Sequence, residues 1–297
     1  VQAGNAYSRP GVCAVTGASG YVGSRIASHL AGVGWEVRAL CRSEPVGVDR
    51  ALHVRFDLAT GATPEMLSGV DALVHAGYDF SPTRWSEISR VNVEGSRRLL
   101  MAARDAGVNR IVYVSSVAAF PQARSMYGRA KLETERVALR LGAVVIRCGL
   151  VWGPQGAAMF GALRSAVELL PVVPLVAPAE LELLLVCEHD LVVLVERVLA
   201  QWTQRPGRLF VAAAVPGLSF VELLRSFSED GAGNIRVVPV PWRLAWLGLR
   251  SLEWLGIAPP FRSDSLLSLV SADPDPIARA TAHAEQYGVS FRAYSPA

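Results

Sequence analysis

The chain has 297 residues, 51% of them apolar and 19% charged, and its 29 basic and 26 acidic side chains leave a net charge of +3. That length holds one large or two modest domains around a sizeable core, and the composition excludes a disordered or highly charged chain. So small a net charge, with no long basic run, speaks against a nucleic-acid partner.

Residues Val1 to Pro10 lack the apolar run of a secretory leader. Val12-Cys13-Ala14-Val15 predicts a first strand. The turn Thr16-Gly17-Ala18-Ser19-Gly20-Tyr21-Val22-Gly23 follows, and Val22, Ile26 and Leu30 then recur at helical spacing as far as Gly32 and Gly34. Strand, glycine-rich turn and helix together suit a pyrophosphate: glycines let the backbone approach the phosphate oxygens, and the helix start offers unpaired N–H groups. The spacing is G-x-x-G-x-x-G, and the same residues also suit a plain strand-to-helix turn.

Further strands are predicted at Trp35–Cys41, His53–Leu58, Asp71–Ala76, Arg110–Ser116 and Ala143–Arg147. Helices are predicted at Trp85–Ala106, closed by Gly107, and at Met126–Leu141, closed by Gly142. Apolar strands alternating with helices predict an α/β chain of Rossmann type, a doubly wound parallel sheet covered on both faces with right-handed crossovers. The rhythm fades at Gly153-Pro154. Prolines then accumulate (Pro171, Pro174, Pro178, Pro206, Pro216), ahead of a Pro- and Trp-rich stretch from Pro239 to Pro260. The expected division is a dinucleotide-binding domain over 1–153 and a smaller substrate-binding region over 154–297, with segments of the latter free to return to the sheet edge.

The most apolar stretch, Leu181–Ala200, is broken by Glu182, Glu188, His189, Asp190, Glu196 and Arg197, so no stable membrane insertion is expected. The stretch from Trp242 to Leu255 carries Trp242, Trp246 and Trp254 and few charges. It suits either a helix resting on a membrane surface or, the preferred reading, a helix packed on its own domain. Cys13, Cys41, Cys148 and Cys187 sit in or beside apolar runs without C-x-x-C spacing. They read as reduced, buried residues of a cytoplasmic protein with neither a disulfide nor a metal framework.

Tyr127 and Lys131 lie four residues apart, on one face of the predicted helix. A free phenol with a pKa of about 10 is a poor base at neutral pH, and a nearby cation lowers that value. The pair suits proton exchange with a hydroxyl or carbonyl, with an exposed helix pair as the plain alternative. Ser115-Ser116 ends a strand, where ligands of a doubly wound sheet bind, and a hydroxyl there can hold a reacting oxygen or simply start a turn.

In this combination the chain resembles the short-chain dehydrogenase/reductase superfamily, in its extended branch of epimerases, dehydratases and ketone reductases. The resemblance rests on Gly17, Gly20 and Gly23, on Ser116, Tyr127 and Lys131, and on Asn92-Val-Glu-Gly95, which is similar to the family's N-x-x-G helix. Arg147-Cys-Gly-Leu-Val-Trp-Gly153-Pro154 is similar to its R-P-x-x-V-Y-G-P segment, and Cys187-Glu-His-Asp190-Leu191 to a degraded H-V-D-D-L. The resemblance implies hydride exchange between a nicotinamide and a small-molecule substrate. Tyr127 would handle the proton, Ser116 hold the reacting oxygen, and Lys131 tune Tyr127 and hold the ribose. Asn92 would relay a proton or brace its helix. It also implies cofactor contacts from Ser19, Tyr21 and Val22 in the turn, from Asp57-Leu58 at the adenine, and from Ala76 and Gly77 beside the adenosine. A homodimer through the two long helices is expected by analogy.

The second strand ends Leu40-Cys41-Arg42-Ser43, without the acid that accepts from a ribose 2′-hydroxyl in NAD sites. Arg42 suits a 2′-phosphate, so NADP is the expected cofactor and NAD the alternative; a solvated loop arginine is the plain reading. Ser116 and Tyr127 are separated by a shorter connection than the family's sugar epimerases tend to have. Cys148 replaces a proline, Trp152 a tyrosine, and Cys187-Glu188 a His-Val. These departures count against nucleotide-sugar handling, and Arg42, the intact Ser116-Tyr127-Lys131 set and the apolar second half favour an NADP-dependent ketone or alcohol reductase. A sugar-nucleotide epimerase or dehydratase comes second, with Leu266-Leu267-Ser268-Leu269 resembling a sugar-nucleotide segment, and a non-catalytic cofactor-binding module third. Trp85, Trp152 and Phe160 are candidate pocket residues but read better as core.

Overall fold

The computed structural model describes residues 10–295 except 46, 155–157, 170–171, 178–180, 203–207, 228–235, 258–260 and 272–285. The leader reading of the first residues falls, apart from Pro10, outside the described residues, as do Pro171, Pro178, Pro206 and Pro260.

The first half runs β1 (Val12–Thr16), α1 (Tyr21–Gly32), β2 (Glu36–Cys41), β3 (Leu52–Arg55), β4 (Ala72–His75), α2 (Trp85–Ile88), α3 (Glu94–Asp105), β5 (Arg110–Ser116), α4 (Met126–Arg140) and β6 (Val144–Cys148). The second half runs β7 (Leu150–Trp152), α5 (Ala158–Leu169), β8 (Val172–Leu175), β9 (Glu182–Leu183), β10 (Leu185–Cys187), α6 (Glu188–Ala200) and β11 (Leu209–Ala212). It continues with β12 (Leu218–Ser219), α7 (Phe220–Ser226), β13 (Arg236–Pro239), α8 (Trp242–Trp254) and α9 (Ser263–Val270).

Seven strands form one sheet in the order β11-β6-β5-β4-β1-β2-β3, every neighbouring pair parallel. The chain reverses its winding direction at β1 and β4, which creates a crevice at their carboxyl ends. Successive β1 side chains feed opposite cores. Cys13 and Val15 pack with Ile26 and Leu30 of α1 and Leu194 and Val198 of α6. Ala14 packs on the other face with Leu99 and Leu100 of α3 and Ala138 of α4. Burial on both faces is why these strands read as continuous apolar runs. The late strand β11 extends the sheet beyond β6. Phe160, Leu163, Phe220, Leu223 and Leu269 build a separate apolar cluster in the second half.

One expectation needs correction. The helix read as Trp85–Ala106 is interrupted by a π-helical turn over Ser89–Val93, where Asn92 is turned inward. Its amide grips a loop backbone and local periodicity does not register this. The helix at Trp242 forms as α8 but buries none of its residues. Trp242, Ala245, Trp246 and Leu249 are half-buried and α8 packs on α9, while the opposite side of the helix is exposed.

Candidate active site

The glycine turn is shaped by close backbone crossings. Gly17 has φ +68°, and a Cβ there would lie 2.8 Å from the Gly77 Cα, so neither a side chain nor an ordinary backbone conformation fits. A Cβ on Gly23 would lie 2.1 Å from the Gly17 carbonyl oxygen, which is how α1 seats directly on the turn. Gly20 N–H donates to the Gly17 carbonyl at 2.8 Å and Gly77 N–H to Thr16 Oγ1 at 3.1 Å. Thr16 Oγ1 also bonds Nδ1 of the buried His75 at 2.7 Å, and His75 Nε2 bonds Ser96 Oγ at 2.7 Å. Burial, with the Lys131 charge adding to it, pulls His75 down to about 3, so it stays neutral and structural.

One cavity of about 820 Å³ runs along the carboxyl edge of the sheet. Gly17, Ser19, Gly20, Tyr21, Val22 and Gly23 line its floor, and α1 carries neither a capping side chain nor an acid in its first turn. Nothing in that turn competes with a diphosphate for the leading N–H groups, so the turn fits one. Arg42, Asp57 and Leu58 line one end, and Ala76 and Gly77 the wall between. Arg42 is largely exposed and faces Asp79, its Nη1 3.6 Å from Asp79 Oδ2. Asp57 Oδ1 accepts from Ala59 N–H at 2.8 Å, which fixes the turn after β3. The volume and lining residues of the cavity fit a dinucleotide with a substrate beyond it.

Ser116, Tyr127 and Lys131 line the other end of the same cavity. Tyr127 is the second residue of α4, whose start is capped twice. Ser125 Oγ accepts from Gly128 N–H at 3.0 Å, and Asp264, from α9, accepts from Met126 N–H at 2.7 Å and Tyr127 N–H at 3.0 Å. Burial pushes the Tyr127 phenol up to about 12, with the Ser116 hydroxyl pulling the other way. The expected lowering by Lys131 is not seen: burial dominates, and the opposing pull comes from Ser116. The Lys131 ammonium lies 5.8 Å from the Tyr127 ring centre and donates to the Val114 carbonyl at 2.9 Å. Burial pulls Lys131 itself down to about 8.

Tyr78, Phe80, Glu135 and Asp264 carried no sequence reading. Tyr78 meets the Tyr127 ring edge-on at 5.0 Å and Phe80 stacks on it at 5.8 Å. Asn92 Oδ1 accepts from Asp79 N–H at 2.7 Å and its Nδ2 donates to the Asp79 carbonyl at 2.9 Å, so it braces the loop that carries both rings. Behind β5, Ser115 Oγ donates to Glu135 Oε1 at 2.5 Å, and Arg147 grips the same carboxylate at 2.8–3.2 Å. Glu135 lies four residues past Lys131 on one helix face, a spacing that could have flagged it. Asp264 lies 137 positions from Tyr127 and had no local signal.

The departure at Glu188 now has a physical account. The Tyr21 hydroxyl donates to its carboxylate, Arg25 pairs with it at 3.3 Å, and a Cβ on Gly153 would strike it at 2.4 Å, so it ties α1 to α6. Asp190 holds Arg292 through Nη2 at 2.7 Å, anchoring the last described segment. Trp85, Trp152 and Phe160 do not line the cavity: Trp85 lies under the Arg129 guanidinium, and the other two pack on Tyr294. Cys13, Cys41, Cys148 and Cys187 are buried and unbridged. Among the described residues no cluster of potential metal ligands forms, and no helix is long and apolar enough to cross a membrane.

Residues 13–167 match the model of the NAD dependent epimerase/dehydratase family. The chain is 32% identical over 174 residues to a ceramide reductase of Caulobacter vibrioides, covering 56% of this chain and 54% of that one. It is 32% identical over 181 residues to a 4-hydroxy-2-methyl-3-oxo-4-farnesyl-3,4-dihydroquinoline-1-oxide ketoreductase of Stigmatella aurantiaca, covering 52% and 54%. The matches thus span about half the length of these curated relatives. The fold is similar to the crystal structure of gox2253, with TM-score 0.70, 23% identity and coverage of 95% and 94%. It is also similar to MoeE5 in complex with UDP-glucuronic acid and NAD, with TM-score 0.63, 20% identity and coverage of 88% and 97%. With over half its length matched, a glycine turn at the sheet's switch point and a Tyr–Lys pair on the same cavity, the chain belongs to the NAD-dependent epimerase/dehydratase family.

Proposed function

We propose that this protein is an NADP-dependent reductase that interconverts a ketone and an alcohol on an apolar small molecule. The observation that carries the proposal is the convergence of Ser116, Tyr127 and Lys131 on the cavity that the glycine turn also lines. In this reading residues 1–153 hold the dinucleotide and 154–297 mainly the substrate. The diphosphate sits on Gly17–Gly23, the adenosine by Asp57, Leu58, Ala76 and Gly77, and the 2′-phosphate at Arg42. The bound dinucleotide supplies hydride to the substrate carbonyl carbon.

The protein residues handle the oxygen. Ser116 Oγ donates a hydrogen bond to the carbonyl oxygen and aligns it on the phenol. A phenol at about 12 keeps its proton at neutral pH, so Tyr127 is poised as the acid. As the carbonyl π pair moves onto oxygen, Tyr127 Oη gives up its proton and the alcohol forms. The Lys131 ammonium steadies the phenolate until solvent returns a proton, and it reaches the ribose. Leu181, Leu183, Phe261 and Leu269 line the substrate end, which suits an apolar ketone. The names of the two reductase relatives agree with an apolar or prenylated substrate. The family's description keeps a sugar-nucleotide epimerase or dehydratase as the second reading.

The test is to denature the purified protein and identify any nucleotide released by mass spectrometry. An empty protein that binds NADPH much better than NADH, and oxidises it with apolar ketones, supports the reductase. Near-stoichiometric retained NAD or NADP supports the second reading instead.

A further inference from the structure

We propose that α8 is a lipid-surface anchor that seats this protein on an anionic bilayer. The helix packs by one narrow face and turns an apolar arc outward. Leu247, Leu244, Leu255 and Trp254 are 53%, 61%, 71% and 90% exposed, and Ile257 follows at 52%. Leu244, Leu247, Ser251 and Leu255 recur at helical spacing along this outer side. Arg243 and Arg250, seven residues apart and both exposed, border the arc.

The charge pattern selects the occupant. Between 236 and 257 the chain carries three arginines, Arg236, Arg243 and Arg250, and one acid, Glu253. Glu253 is turned inward, accepting from Ser263 N–H at 2.8 Å and Ser263 Oγ at 2.7 Å, with Arg250 at 3.3 Å. Arg124 joins Arg243 around the Trp242 ring, at 5.9 and 5.5 Å from its centre. An apolar arc bordered by arginine, with an exposed tryptophan at its end and no outward acid, complements acyl chains beneath anionic headgroups. A face built to seal against a second copy would need acids to meet those arginines, and this helix exposes none. At thirteen residues α8 lies along a surface and does not span.

The anchor adjoins the cavity. α8 packs on α9, and Phe261, Leu269 and Asp264 of that region line the chamber beside Tyr127. An apolar substrate dissolved in the bilayer would then enter next to the anchor. Only this last step rests on the proposed reductase.

The test is co-sedimentation of the full chain with vesicles of phosphatidylcholine alone, or mixed with phosphatidylglycerol. Binding to the mixed vesicles, and much less to the neutral ones, is expected. Arg243→Gln with Arg250→Gln should weaken it by about thirtyfold, since each basic residue near an anionic surface is worth about fivefold. Leu247→Glu with Trp254→Glu should abolish binding while thermal midpoint and dinucleotide affinity stay unchanged, because neither residue touches the cavity. Equal binding to both vesicles, no binding, or full binding by the glutamate variant overturns the proposal. So does a wild-type dimer that the glutamate variant splits, which would make the face a contact between copies. Vesicle binding is read without turnover, so a failed reductase assay leaves it standing.

Discussion

The assignment of NADP turns on two facing side chains, Arg42 and Asp79. Arg42 Nη1 lies 3.6 Å from Asp79 Oδ2, and the Arg42 side chain is 63% exposed. A charge-assisted hydrogen bond is worth about 1.5–3 kcal/mol, and solvent around this guanidinium places it at the low end. Arg42→Ala should therefore weaken NADPH about tenfold to thirtyfold and leave NADH nearly unchanged. Asp79 has the opposite sign. A carboxylate about 5 Å from a dianionic 2′-phosphate costs about 1–2 kcal/mol near the dielectric of water. Asp79→Asn should then tighten NADPH by about fivefold or more, less at high salt. The substitution keeps the loop in place, because Asn92 holds the Asp79 backbone and an amide oxygen can still accept from Ser81 N–H, which donates to Asp79 Oδ1 at 3.0 Å. The assay is a fluorescence titration with both cofactors at low and high ionic strength. Equal losses for NADPH and NADH in Arg42→Ala would sink the phosphate assignment. A selective loss of NADH affinity in Asp79→Asn would mean that Asp79 reads the ribose 2′-hydroxyl and that the cofactor is NAD.

Tyr127→Phe should lower kcat by about a thousandfold with dinucleotide affinity retained; unchanged turnover would leave a cofactor-binding module. Asp264→Ala strips two N–H acceptors from the start of α4 and should cost about 2 kcal/mol, lowering the thermal midpoint by about 5 °C, with Asp264→Asn recovering part of both stability and kcat. Lys131 has a folded value of about 8, below its unfolded 10.5, so its charge weighs against folding below pH 8 and that penalty is relieved as pH rises from 8 to 10.5. Lys131→Met should therefore match or exceed the wild-type midpoint at pH 7 while turnover collapses, and wild-type turnover should decline above pH 8; a midpoint several degrees lower contradicts this. Gly23→Ala drives a methyl to 2.1 Å from the Gly17 carbonyl, so circular dichroism melts should show a large loss of stability, and a wild-type melt would refute the packing argument.

The strand–turn–helix at Val12–Leu30, the apolar strand runs and the Tyr127–Lys131 spacing were legible in the sequence because each is written within one local unit. A parallel strand buried on both faces must be apolar throughout, and a helix must repeat its face every three or four residues. The same locality hid other features. Asp264 caps the helix that carries Tyr127 from 137 positions away. β11 joins β6 across more than sixty residues. Asp79 meets Arg42 only because β1 brings the ends of β2 and β4 together. The π turn at Asn92 leaves the helical pattern intact while turning one amide inward. The sequence by itself determined the α/β class, the glycine turn and the Tyr–Lys pair. Tertiary structure alone decided which side chains face the same cavity, how far burial shifts Tyr127 and Lys131, and that the apolar helix at Trp242 is left uncovered among the described residues. Proton affinity and exposure depend on what the rest of the fold places around a residue, and that is not encoded near it in the chain.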